Sequence, residues 1–235
     1  MAKPGITVIT CTKRPECMTR LLANFNRQKY GKKELILILN HDSLKLPAYR
    51  KAAAPYRNVR VYRLPEHITL GSCLNFGVER SKYGYIAKFD DDDYYAPGYL
   101  AEAMRAMLKT GADIVGKRAH FMHLLGRKAL LYRYENKANR KVRLVQGATL
   151  LVNRRVFGQV RFPDRNRGEC VQFCADSIAK GYRIYSTSPY HFLARRRQDS
   201  RNHTWMISDR ELLSRSARLL KVKRIYAYVR RAAGG

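Results

Sequence analysis

Five consecutive aliphatic residues, Leu35-Ile36-Leu37-Ile38-Leu39, constrain the fold of this 235-residue chain more than any other segment. A strand with one wet face alternates apolar and polar side chains, and this run has no polar position. Such a strand is buried on both faces, which is typical of a parallel sheet covered by helices on each side. The chain is long enough for one domain with a sizeable core.

The first half of the chain alternates between strand and helix patterns. β-rich and apolar runs predict strands at 6–10, 35–39, 59–62 and 85–89. Helical patterns run from Pro15 to about Gln28, from near Thr69 or Ser72, and from about Pro97 to Lys109. This order predicts an α/β fold in which helices flank a mainly parallel sheet.

The second half has a more mixed pattern. Strands are predicted at 113–116, 130–132, 148–152 and 183–185. A helix is predicted from Glu169 to Lys180, and Gly181 is a normal C-terminal cap for it. No internal repeat and no linker divides the chain.

Four consecutive aspartates, Asp90 to Asp93, follow the predicted strand at 85–89. Ligands of open α/β sheets bind at the carboxyl ends of strands, and these acids lie at such an end. Adjacent carboxylates repel one another, and a divalent cation would offset that repulsion. Carboxylate oxygens suit Mg²⁺ or Mn²⁺, and the ion can hold a diphosphate through its other positions. A solvated acidic turn is the alternative, but the strand before the acids and the helix after them favour a metal site.

The charge of the chain predicts a polyanionic partner. Forty-seven Lys and Arg residues stand against 18 Asp and Glu, a formal net charge of +29. Nucleic acid, an anionic membrane surface, a phosphate-rich polymer and a nucleotide diphosphate all fit this charge. The five cysteines form no CxxC pair, so neither a disulfide framework nor a zinc site is indicated. Neither a transmembrane span nor a signal-peptide core is recognisable, so we expect a cytoplasmic protein.

A series of motifs, in order, resembles family 2 glycosyltransferases. They are Ile6 to Thr10, Arg14-Pro15, Leu70 to Gly77, Tyr85 to Asp93, Gln146 to Thr149, Gly168-Glu169 and Gly181-Tyr182. The resemblance covers roughly residues 5 to 205, and the likeness is strongest to small stand-alone enzymes of spore-forming Gram-positive bacteria. It implies the GT-A fold and inverting transfer of a sugar from a nucleotide-sugar, UDP-linked, to a glycan, cell-wall or spore-surface acceptor.

The resemblance also implies roles for individual residues. Asp92 and Asp90 correspond to metal ligands for Mn²⁺ or Mg²⁺, and His203 could join them. The nucleotide pocket would comprise Thr10, Thr12, Arg14, Asp42, Asn75, Asp90 and Asp91. Other roles remain open for several of them: loop hydrogen bonding for the two threonines, a helix N-cap or turn for Asp42, and packing against the sheet for Asn75.

Glu169 and Cys170 correspond, by this resemblance, to the catalytic position. The family has a Glu-Asp pair there, whose Asp deprotonates the acceptor hydroxyl, and this chain has cysteine in its place. Three interpretations remain: Glu169 acts as the base, the enzyme is impaired and only binds nucleotide or glycan, or the match is displaced by one turn. The acceptor and diphosphate contacts would come from Gly147, Thr149, Arg201 and Trp205.

The segment from 206 to 231 is predicted to be a basic amphipathic helix. We therefore expect a GT-A domain at 1–205 and a helical tail at 206–235, which either lies on an anionic membrane surface or packs on the domain.

Two other functions compete with the transferase interpretation. The first is nucleic-acid binding, but the chain carries no recognisable nucleic-acid-binding motif, so no nucleic acid is expected as a partner. The second is a sugar-nucleotide pyrophosphorylase, which would need a Gly-rich loop after the first strand, and residues 10–15 contain no glycine.

Overall fold

The computed structural model describes residues 3–196 and 217–231. Its strands are β1 Ile6–Thr12, β2 Lys33–Leu39, β3 Val59–Arg63, β4 Tyr85–Lys88, β5 Tyr94–Tyr95, β6 Ile114–Gly116, β7 His120–Leu124, β8 Ala129–Arg133, β9 Arg140–Lys141, β10 Leu151–Asn153, β11 Ile184–Ser186, β12 Phe192–Arg196 and β13 Ala217–Leu220. Its α-helices are α1 Met18–Asn26, α2 Leu46–Ala53, α3 Leu70–Glu79, α4 Tyr99–Thr110, α5 Glu169–Ala179 and α6 Ile225–Val229.

The larger sheet has eight strands in the order β3-β2-β1-β4-β10-β6-β11-β9. Its first four strands are parallel, and β10 runs antiparallel to both β4 and β6. Leu35, Leu37 and Leu39 of β2 face one core cluster, while Ile36 and Ile38 face another on the opposite side. The predicted mainly parallel sheet with helices on both faces is therefore confirmed.

A second sheet has five strands in the order β13-β8-β7-β12-β5. Its strand β5 directly follows the four aspartates, so the acids connect the two sheets. A third apolar cluster on this sheet includes Phe121 and Leu193 together with Val229 of α6. The acids thus lie at a junction that is fixed by packing on both sides.

Two predicted elements need correction. The predicted strand at 148–152 starts later, because Gly147–Thr149 forms a 3-10 turn and β10 begins at Leu151. The Thr149 hydroxyl donates to the carbonyl of Gln146 at 2.7 Å, a local bond that holds this turn.

The predicted continuous helix from 206 to 231 is wrong for the part that the structure describes. Residues 217–220 instead form β13, which pairs antiparallel with β8, and only Ile225–Val229 is helical. Pairing with the edge of the second sheet satisfies backbone groups that a helix would satisfy internally, and Val229 is fully buried. Val229 and the partly buried Leu220, Val222 and Ile225 therefore pack on the domain, whereas Leu219 is 55% exposed. Residues 206–216 and the predicted boundary at 205/206 lie outside the described residues.

Among residues 3–196 and 217–231, none of the helices combines the length and apolarity needed to cross a bilayer.

Candidate active site

The four aspartates are positioned by the end of β4 and by the aromatic residues that follow. The backbone N–H of Asp90 donates to the Tyr95 hydroxyl at 2.8 Å, and this hydroxyl donates to the Ala148 carbonyl at 2.7 Å. The Tyr95 ring stacks on Phe89 with 3.7 Å between centroids. The chain therefore bends back on itself, and the acids occupy the outside of the bend.

The four acids alternate in exposure. Asp91 and Asp93 are buried, with 3% and 7% of their surface exposed. The side chains of Asp90 and Asp92 are 39% and 16% exposed. The two acids that the family resemblance identifies as metal ligands are thus the two whose carboxylates reach the surface.

Asp91 binds the end of β1. Its carboxylate accepts a hydrogen bond from the Thr12 hydroxyl at 2.5 Å and pairs with the Arg14 guanidinium, whose Nε lies 3.2 Å from Oδ2. Arg14 also reaches Asp92, with 2.7 Å between Nη1 and Oδ2. Burial raises the pKa of Asp91, and the hydrogen bond from Arg14 opposes that rise. Three residues predicted to contact the nucleotide are brought together here, and they bind one another.

Asp93 connects the acids to the second sheet. Its carboxylate accepts a hydrogen bond from the backbone N–H of Arg195 in β12 at 2.9 Å, and its carbonyl accepts one from the Asn24 amide at 2.9 Å. Burial raises the pKa of Asp93 well above its usual value, with a further contribution from the charges of Asp92 and Asp90. These contacts make Asp93 part of the framework that holds the bend.

Lys88 is a buried cation between the acids and the start of α5. Its ammonium donates a hydrogen bond to Asp90, and its side chain is 8% exposed. Burial lowers the pKa of Lys88, but the negative charge of Asp90, together with that of Glu169, more than offsets this, so the net shift is upward. The sequence analysis missed this residue. A lysine within an otherwise apolar strand was the signal that could have identified it.

Glu169 and Cys170 begin α5, directly after Gly168, whose φ of +73° lies in the left-handed region that favours glycine. Both side chains are buried, at 8% and 6% exposure. The Cys170 thiol donates a hydrogen bond to Oε1 of Glu169 at 3.2 Å. Burial raises the pKa of Cys170 well above its usual value, so it remains a thiol at neutral pH.

Gly147 lies against this pair. A Cβ atom at position 147 would stand 2.9 Å from both Cβ and Sγ of Cys170, closer than real side chains pack. The absence of a side chain therefore allows the 3-10 turn to approach α5. Thr149, predicted beside it as an acceptor contact, is fully buried and accepts a hydrogen bond from the backbone N–H of Lys117 at 2.8 Å. Its hydroxyl supports the turn.

The remaining predicted residues are more scattered. Thr10 is buried within β1. Asp42 lies in the exposed turn after β2, where its carboxylate is 3.4 Å from the Arg63 guanidinium. The Asn75 amide makes two hydrogen bonds to the backbone of Phe162, which agrees with the structural role that remained open for it. The predicted residues Arg201, His203 and Trp205 lie outside the described residues.

A divalent cation fits Asp90 and Asp92. No group of three or more His, Cys, Asp or Glu residues that could hold a metal occurs within the described ranges. Mg²⁺, however, is commonly held through one or two carboxylates together with substrate phosphates. Both acids offer hard oxygen donors, and each uses one oxygen to pair with a cation of the chain. The donor set is therefore compatible with a divalent cation whose other ligands a diphosphate would supply.

Comparisons with known proteins identify the family of the chain. The family model of glycosyl transferase family 2 matches residues 6–161. The O-antigen biosynthesis glycosyltransferase WbnJ of Escherichia coli is 32% identical over 117 residues, which are 48% of this chain and 46% of WbnJ.

Solved structures show the same fold at lower identity. Staphylococcus aureus TarS 1–349 in complex with UDP-GlcNAc matches with a TM-score of 0.70 and 15% identity, over 87% of this chain and 62% of TarS 1–349. The mannosyltransferase PcManGT of Pyrobaculum calidifontis, in complex with GDP-Man and Mn²⁺, matches with a TM-score of 0.64 and 15% identity, over 87% of this chain and 59% of PcManGT.

The chain spans about half to three-fifths of the length of these relatives. The family match covers more than half of the chain, from the first strand past β10, and includes the four acids. The chain therefore belongs to glycosyl transferase family 2, and its fold is the GT-A fold.

Proposed function

We propose that the chain transfers a sugar from a UDP-linked nucleotide-sugar to a hydroxyl group of a glycan, with inversion at the anomeric carbon. The observation that carries this proposal is the position of Lys88, whose buried ammonium donates to Asp90 and whose charge also interacts with that of Glu169. A proposed metal ligand and the candidate base therefore share one buried cation. The nucleotide-sugars present in the TarS and PcManGT structures support a donor of this class.

Asp90 and Asp92 would hold the Mn²⁺ or Mg²⁺ ion. When bound, the ion would neutralise charge on the departing diphosphate. Arg14 keeps the Asp92 carboxylate in place through its hydrogen bond, while Thr12 and Asp91 fix Arg14 from the other side. Preorganised charges of this kind need no rearrangement during the reaction.

Glu169 is the proposed general base. Its carboxylate would take the proton of the acceptor hydroxyl as that oxygen forms its bond to the anomeric carbon. The bond from that carbon to the diphosphate oxygen breaks, and its electron pair leaves with the diphosphate. Cys170 is a poor base because its thiol is protonated at neutral pH, but it can orient Glu169 through their hydrogen bond.

The acceptor is proposed to be a glycan or another anionic polymer. A net charge of +29 favours such a partner and would also permit contact with an anionic membrane surface. Neither binding of an anionic polymer acceptor nor contact with a membrane surface requires nucleic acid.

Calorimetry with UDP, followed by an assay of UDP release from UDP-GlcNAc, tests the function. We expect UDP to bind in the presence of Mn²⁺ and to lose most of its affinity in EDTA. We also expect release of UDP from UDP-GlcNAc above the uncatalysed rate. A panel of other nucleotide-sugars run in parallel identifies the donor. Failure of every nucleotide-sugar and of UDP to bind would overturn the proposal.

A further inference from the structure

A second cluster of polar groups surrounds the Tyr134 ring, on the β7–β8 hairpin. The Arg118 guanidinium stacks over this ring with its Cζ 3.8 Å from the centroid. The Cζ of Arg133 lies 4.9 Å from the same centroid, and its Nη2 donates to the Tyr134 hydroxyl at 3.1 Å. Two cations therefore share one aromatic side chain. Stacking uses the flat face of a guanidinium and leaves its rim of N–H groups able to bind an oxyanion.

His120 completes this cluster. It pairs with Arg133 across the β7–β8 ladder, and its ring centroid is 6.4 Å from that of Tyr134. Nδ1 lies 2.9 Å from the Arg118 carbonyl. Because a carbonyl only accepts, Nδ1 carries the proton and Nε2 presents a lone pair.

The second ring nitrogen of His120, Nε2, is buried without a hydrogen-bond partner among the described residues. The residue is 1% exposed, and within residues 3–196 and 217–231 its Nε2 has no hydrogen-bond partner. Burial, together with the charges of Arg133, Arg118 and Lys117, lowers the pKa of His120 to about 3. The neutral Nε2 atom can accept a hydrogen bond from a hydroxyl group, while the surrounding cations favour an anionic group on the same ligand. An unsatisfied buried acceptor otherwise costs about 1–3 kcal/mol.

The backbone of Tyr134 has an uncommon conformation. Its φ of +52° lies in the left-handed region, which an aromatic residue rarely adopts. Strain of this kind persists where the surrounding structure holds a side chain in a required place. Here it places the ring between Arg118 and Arg133.

The cluster is connected through the backbone to the helix that carries the candidate base. The carbonyl of Lys117, the residue before Arg118, accepts a hydrogen bond from the Gln146 N–H at 2.8 Å. The next residue, Gly147, contacts Cys170 of the catalytic pair. One backbone hydrogen bond and one packing contact therefore connect the neighbourhood of Arg118 to the start of α5.

We propose that Arg118, Tyr134 and His120 form a binding site for a phosphate ester that carries a free hydroxyl group, and that this group belongs to the acceptor. Only the second half of this inference rests on the proposed function. Arg118 binds the phosphate oxygens through its N–H groups, and the Nε2 atom of His120 accepts a hydrogen bond from the hydroxyl group. Part of the positive charge of the chain would then bind the phosphate group of the acceptor.

Nitrogen NMR of the histidine side chains tests this site with a local signal. Glycerol 3-phosphate is the probe, and glycerol and sodium chloride at equal ionic strength are the controls. We expect the Nε2 signal of His120 to move saturably with glycerol 3-phosphate alone. Arg118→Gln should weaken this response about tenfold or more, the effect of losing a charge-assisted hydrogen bond. The matched control is Arg57→Gln, which removes an exposed arginine from the turn after α2.

Several outcomes would overturn the site. They are a His120 signal that does not move, equal affinity in Arg118→Gln and the native chain, an equal loss in Arg57→Gln, and an equal response to glycerol. Glycerophosphoglycerol is a second probe: if it binds as well as the monoester, the source is a phosphodiester polymer, and if only the monoester binds, the source is a terminal phosphate. UDP binding with Mn²⁺ is measured on the same samples, so a failure of the donor site is seen separately.

Discussion

Lys88 donates a hydrogen bond from its buried ammonium to the carboxylate of Asp90, and its charge also faces Glu169 across the start of α5. This relationship joins the donor-side acids to the candidate base. Burial of the Lys88 ammonium costs desolvation free energy, and its interactions with Asp90 and Glu169 offset that cost.

Replacement of Lys88 by methionine should slow the turnover of the UDP-sugar, measured as UDP produced, while strengthening Mn²⁺ binding. The ammonium competes with the metal for Asp90, and its loss removes a like charge from the metal site. Calorimetric titration of Mn²⁺ in the presence of UDP measures the affinity. Lys88→Arg, which keeps the charge, is the control. Weaker Mn²⁺ binding in the methionine variant would mean that Lys88 orients Asp90 rather than competing for it.

Asp92→Asn should abolish metal-dependent UDP binding and leave the fold intact. Asp92 is 16% exposed, and its loss removes one of only two proposed carboxylate ligands. Calorimetry with UDP and Mn²⁺ measures the effect, and thermal unfolding verifies the fold. Asp176→Asn on α5, where the carboxylate accepts from Gln172, is the matched control. Unchanged UDP affinity in Asp92→Asn would remove the metal assignment.

Glu169→Gln should reduce UDP-sugar turnover about 100-fold, the usual scale for loss of a general base, with UDP affinity nearly unchanged. Glu79→Gln, which alters an exposed carboxylate on α3, should have no such effect. Cys170→Asp is a companion variant that restores the family residue. If the native chain is no faster than the uncatalysed reaction and Cys170→Asp restores turnover, the chain is an impaired relative and Glu169 is not its base.

Gly147→Ala should destabilise the protein by about 1–3 kcal/mol, the usual cost of overpacking. The added methyl group would stand 2.9 Å from Cys170, whose backbone is fixed in the first turn of α5. Chemical denaturation compares the variant with Gly158→Ala, where a Cβ atom meets nothing within 4 Å. Equal stability of the two variants would show that the turn at 147–149 can move away from α5.

The contribution of His120 to the stability of the protein should rise with pH between about pH 4 and 6. Folding lowers the pKa of His120 to about 3 from an ordinary value near 6.5, so the unfolded chain binds more protons at this residue in this window. The contribution is complete above the unfolded pKa and is lost as pH falls, by at most about 1.4 kcal/mol per unit. Asp91 and Asp93, whose pKa values folding raises, act in the opposite direction, so the measurement compares two chains. Denaturation at several pH values should show a less positive slope of stability against pH for His120→Gln than for the native chain.

The sheet was predictable from sequence where one physical signal dominated. Leu35 to Leu39 has no polar position, and it forms a strand that is buried on both faces. Strand β7 was missed because His120 and His123 interrupt its apolar pattern, and β12 was missed because it ends in two arginines. In both strands the packing of the second sheet, which is a long-range property, decides the structure.

The candidate site was predictable only in part. A run of four acids after a strand is a local signal, and it led to Asp90 and Asp92. Sequence does not reveal which polar groups are already satisfied inside the fold. Asn75 and Thr149 carry suitable atoms, but the backbone of Phe162 and of Lys117 binds them. Lys88 acquires its role only when α5 is brought beside β4.

The alternation in exposure along the four aspartates has a consequence for how mutations at these positions would behave. Asp91 and Asp93 hold β1 and β12, so their replacement should reduce the amount of folded protein, by about 3 kcal/mol of stability where a buried ion pair breaks. Asp92 should tolerate replacement in the fold and fail only in turnover, whereas replacement of Asp90 also leaves the buried ammonium of Lys88 without its ion-pair partner. A library scored for cellular abundance would therefore spare only the third acid, and one scored for activity would detect all four.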